Sequence, residues 1–113
     1  MMKKLSFLLL LMLIFIFQTP LPALADEPED GNILILNSYY RGFTWTDDEV
    51  DGILSSMSEQ KWDYQISIEY MDWKRYPTQE NLRNFYNMMK MKYASKDIDV
   101  IVCTDDSAFQ FAL

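Results

Sequence analysis

From Leu5 to Phe17 every position but Ser6 is apolar, with Lys3 and Lys4 just before the run and "QTPLPALA" just after it. A basic start, a short apolar stretch and the small residues Ala23 and Ala25 around Leu24 read as a secretory signal peptide over residues 1–25. The alternative is an uncleaved anchor, but the run falls short of the ~20 apolar residues of a spanning helix, and Pro20 and Pro22 follow it. The next six residues, 26–31, are "DEPEDG", a polar and acidic lead-in to the folded part.

Beyond it the spacing of apolar positions changes five times. "NILILN" from Asn32 is a short continuous apolar run, suited to a strand buried on both faces. Val50, Ile53, Leu54 and Met57 then recur at helical spacing, which predicts a helix from about Asp47 to Gln60. Thr46 with Glu49 three residues later matches a capping box for its start. In "YQISIEY" the alternation is strict, with Tyr64, Ile66, Ile68 and Tyr70 on one face and Gln65, Ser67 and Glu69 on the other. That pattern predicts a half-exposed strand at or near a sheet edge. Pro77 and Thr78 open a second helix to about Ala94, with Leu82, Phe85, Met89 and Tyr93 inward and Tyr86 beside them. "DVIVCT" gives a third strand, and "DDSAFQFAL" starts a third helix.

A β-α-β-α-β-α order is that of a parallel sheet with right-handed crossovers, and its simplest strand order is 2-1-3. The chain stops at Leu113 with no capping signal, which reads as the front of a larger α/β protein, truncated at its C-terminus.

Charge and composition narrow the chemistry. The formal charge is −7, and −9 once Lys3 and Lys4 are set aside with the signal segment. With no basic cluster, an acidic chain of this kind argues against nucleic acid or anionic membrane surfaces as partners. There is no histidine, so His-based triads and most zinc sites are excluded. Cys103, the single cysteine, sits in an apolar run and reads as a small buried hydrophobe. Met88, Met89 and Met91 read as core and flank filling. No cofactor is indicated.

In a parallel sheet the strand-to-helix loops emerge at one edge, so Ser38–Thr46, Met71–Thr78 and Asp105–Ala108 converge there. For order 2-1-3 the ligand crevice lies between the first and third strands. Tyr39, Tyr40, Phe43 and Trp45 offer flat surfaces, with Tyr39 or Tyr40 expected to face the crevice and Trp45 expected to be structural. Asp106 suits helix capping, while Asp105 is open to capping or to a polar ligand group. Asp72, Lys74 and Arg75 suit a salt-bridged turn. Gly42 alone after the first strand makes no phosphate cradle. A receiver-type Mg²⁺ pocket would lack acids after Asn37 and Ser38.

"LNSYYRGFTWTDDEVDGI", "EYMDWKRYP" and "IVCTDDSAFQF" together resemble the periplasmic-binding-protein-like sensor domains, related to ABC-transporter substrate-binding proteins, of bacterial histidine kinases and diguanylate cyclases. The resemblance runs from Asn32 to Leu113. It implies part of the N-terminal lobe of a type 1 periplasmic-binding fold, exported, closing with a second lobe on a small molecule. It further implies a downstream membrane span, with membrane association through that span or the signal segment, and leaves a dimer open to the full receptor. Any kinase or cyclase activity would belong to a C-terminal part, so this stretch is not itself an enzyme. The ligand-binding positions it implies are Ser38, Tyr39, Tyr40, Asp72, Asp105 and Asp106. Tyr40 and Trp73 depart from the family pattern, which bears on the ligand more than on the fold. Two other readings stand beside it: a solute-binding component of an ABC importer, and an exported α/β enzyme or non-functional fragment.

Overall fold

The computed structural model describes residues 31–60 and 63–113. The signal segment, and the lead-in except for Gly31, lie outside them.

Strand β1 (Gly31–Asn37) is central, with β2 (Tyr64–Tyr70) and β3 (Val100–Thr104) parallel on either side, in the order β2-β1-β3 expected from the crossovers. Ile33 faces Ile66 on one neighbour and Val100 on the other, and Asn37 faces Tyr70 and Thr104. The last five residues of β1 are buried, because helices cover both of its faces.

Helix α1 (Thr44–Ser58) lays Val50, Ile53, Leu54 and Met57 on Ile33 and Ile35, with Tyr64, Ile68 and Val102 alongside. Helices α2 (Gln79–Tyr93) and α3 (Asp105–Ala112) pack on the opposite face, where Leu36, Met71, Phe85 and Ala108 form the second core cluster. Residues 35 and 36 therefore serve different layers, as the strand period of two requires.

Two expectations are corrected. Helix α1 starts at Thr44, with Phe43 as N-cap and no side-chain cap bond, so Thr46 is a buried helical residue rather than the cap. The earlier start carries Trp45 outward, and it is 58% exposed instead of structural. Strand β2 is the half-exposed edge strand that its alternation predicts, with one end of its polar face covered. Glu69 receives hydrogen bonds from Lys92 Nζ at 2.9 Å and the Tyr93 hydroxyl at 2.8 Å, because crossover helix α2 lies over it.

Helix α2 does start as read. Thr78 is its N-cap and accepts from the Asn81 amide at 3.1 Å. Met91 is exposed, while Met88 and Met89 flank the core.

Candidate functional site

Asn37 and Ser38, where β1 ends, organise the carboxyl edge. Both are fully buried. The Asn37 amide donates to the Glu69 carbonyl at 3.1 Å, and its Oδ1 accepts from the Thr104 hydroxyl at 2.9 Å, so one side chain ties the ends of all three strands. The Ser38 hydroxyl donates to the Thr104 carbonyl at 2.7 Å and accepts from the Ala108 amide at 2.8 Å. Ala108 lies in the first turn of α3, where amides lack helical partners. Ser38 thus caps α3 from another loop, and the capping expected of Asp106 is not seen: no side chain at the helix's own N-cap makes such a bond, and Asp106 is exposed. Both functions of the Ser38 hydroxyl are used inside the chain, so its contribution to a site is positional.

The first and second loops are joined by backbone bonds from Asp72 to Tyr39 and from Trp73 to Ser38. Over this seam the aromatic residues meet cations. The Arg75 guanidinium lies 4.1 Å from the centre of the Tyr40 ring, and Lys74 Nζ lies 4.8 Å from that of Phe43 and 5.6 Å from that of Tyr39. Phe43 also packs on both tyrosines, with ring centres 5.7 and 5.6 Å away. Arg75 forks onto Asp72 through two bonds of 2.7 Å. Asp72 sits at φ 57°, a left-handed conformation that aspartate tolerates better than most residues. The salt-bridged turn read for this loop is therefore present, and it packs against the aromatic loop. Gly42, at φ 96°, makes the turn back into α1 and donates its amide to both Asp47 carboxylate oxygens at 3.0 Å.

Asp105 is different. It follows β3 directly at φ 64°, and its Oδ2 is buried without a hydrogen-bond partner. On α1, Glu49 Oε2 and Thr46 Oγ1 are likewise buried and unpartnered, and Glu49 and Asp105 line the same cleft. Burial pushes the Glu49 carboxyl above its ordinary range, the charge of Asp105 adds to this, and hydrogen bonding from the Trp45 side chain offsets it in part. Glu49 and Asp105 stand at one end of an open cleft of about 820 Å³, walled below by Ile53, Met57 and Val102. The cleft lies between α1 and the end of β3, beside the junction where Asn37 pairs with Thr104.

The candidate residues therefore fall into two groups. Tyr39, Tyr40 and Asp72 belong to the two loops bonded to each other, and Asp105 joins Ser38 at the β1–β3 junction. Asp106 belongs to neither. Sequence reading assigned Thr46 and Glu49 to a capping box and so missed the burial of Thr46 and the place of Glu49 beside Asp105. The available signal was that two polar residues share the helical face of Val50 and Ile53.

Cys103 is free and partly buried, and burial pushes its thiol up, away from a reactive thiolate. Among the described residues no group of three or more His, Cys, Asp and Glu side chains is placed to hold a metal ion. No helix among them is long and apolar enough to cross a membrane. Comparison with protein-family models, with curated proteins and with solved structures finds no match to this chain.

Proposed function

We propose that this chain is part of a small-ligand-sensing lobe, exported and acting by ligand-induced closure against a second lobe in a bacterial signalling receptor. The observation that carries the reading is Asp105. It is a carboxylate in a left-handed conformation at the end of a parallel strand, with one oxygen shielded from water and unpartnered. Backbone strain and unsatisfied buried groups gather where a chain is built for a ligand, and open α/β sheets bind ligands at this edge. The neighbouring Glu49 gives the site an acidic character that favours a small molecule carrying an amino group.

The test is a thermal-shift screen of the full chain against small amines, amino acids and their uncharged analogues. One or more amino compounds should raise the melting temperature, and Asp105→Asn should remove that shift while leaving the unliganded chain folded. Uncharged analogues that stabilise equally well, or a shift that survives Asp105→Asn, would count against the reading. The reading frame downstream of Leu113 separates receptor from importer: a second lobe and membrane span favour the first, adjacent permease and ATPase genes the second.

One observation favours a second reading, an exported α/β enzyme. A carboxyl held above its ordinary range beside a second carboxylate is the arrangement of an acid and base pair. Hydrolysis lost in both Glu49→Gln and Asp105→Asn would support it.

A further inference from the structure

On the face of the sheet away from α1, a second cavity of about 540 Å³ opens between α2 and α3. Its position follows from helix periodicity. Gln79, Leu82, Arg83 and Tyr86 recur along one side of α2, and Ser107, Gln110 and Phe111 along one side of α3, with Trp73 and Met71 across the end. Its walls are aromatic and held. Phe111 meets the ring of the buried Phe85 edge-on at 5.1 Å and that of Tyr86 at 6.5 Å, while the Trp73 amide is bonded to the Ser38 carbonyl at 2.8 Å.

Among these apolar surfaces stands one guanidinium. Among the described residues the salt bridges are those of Arg75 and Lys92, and Arg83 has no carboxylate partner. The amides of Gln79 and Gln110 and the Ser107 hydroxyl line the same cavity. The volume is that of a small-molecule site, flat walls suit a planar body, and an unpaired guanidinium suits a carboxylate through two parallel hydrogen bonds. A single positive charge matches a monocarboxylate better than a phosphate dianion, which would need further cationic donors.

The geometry points to a binding site for a small planar organic carboxylate in this cavity, with Arg83 holding the carboxylate and Trp73, Tyr86 and Phe111 enclosing the body. It is separate from the crevice at Asp105, on the opposite face of the sheet, so its failure would leave the reading of that crevice standing.

The probe is 4-fluorobenzoate, followed by its ¹⁹F line width in the presence of the full chain, with neutral 4-fluorobenzamide as comparison. The benzoate should broaden, and the benzamide should bind about ten- to hundredfold more weakly, as expected for loss of a charge-assisted pair. Arg83→Gln should weaken benzoate binding by a similar factor. Lys90→Gln, the same charge change elsewhere on α2, should not. Tyr86 is 55% exposed, so Tyr86→Ala tests the wall without risk to the core and should also weaken binding. No broadening up to about 10 mM benzoate, equal binding of benzamide, or an Arg83→Gln chain that binds like the unaltered one overturns the inference.

Discussion

Ser38 caps a helix that begins 67 residues later in the chain, donating to one strand end and accepting from the Ala108 amide 70 residues away. Removing its hydroxyl leaves that amide buried without a partner, a cost of about 1–3 kcal/mol. Ser38→Ala should lower the unfolding free energy by that amount in denaturant titration, without changing the fold seen by circular dichroism. Glu49 carries a prediction of opposite sign. Its carboxyl titrates above the ordinary 4.5 in the folded chain, so the folded state holds that proton more tightly than the unfolded state. The associated stability is complete below about 4.5 and is lost as pH rises through the higher folded value. Glu49→Gln should therefore melt higher than the unaltered chain at about pH 7, with the gap closing toward about pH 4. Melting curves at the two pH values check it. Neither role was legible in the sequence, because each depends on which residue of another element lies opposite. Spacing identifies neighbours along a helix, not across a sheet.

The helices and strands were legible, since their faces are repeated choices of side chain. The stripe from Val50 to Met57 and the inner face of α2 both meet the sheet as their periods require. Ends were less so. Thr78 caps α2 as read, but Thr46 does not cap α1, which begins after Phe43 and is held by the turn at Gly42 and Asp47. Thr78→Ala should cost about 1 kcal/mol and increase hydrogen exchange in the first turn of α2. The aromatic loop was legible as aromatic, but not as the partner of Lys74 and Arg75. Cation–π contacts of this kind contribute about 0.5–1 kcal/mol each at exposed positions, enough to order a loop and too little to fold one.

At the scale of the molecule, the β-α-β-α-β-α pattern predicts a parallel sheet whose simplest order is 2-1-3, and the sheet has the order β2-β1-β3. The same topology brings the ends of the strands together, so the convergence of the three loops was available before any side chain was placed. What it did not supply was the division of labour there: Asn37 and Ser38 tie the edge together, the first two loops fasten each other, and Asp105 with Glu49 retains unpaired oxygen. The measurement that tests this most directly is a ¹⁵N–¹H spectrum of the full chain titrated with an amino compound from the thermal-shift screen. The account predicts shifts concentrated at Ser38–Asp47, Glu49 and Thr104–Ala108, and their loss in Asp105→Asn. Shifts confined to other surfaces, or an undiminished response in that variant, would contradict a ligand site at the carboxyl edge.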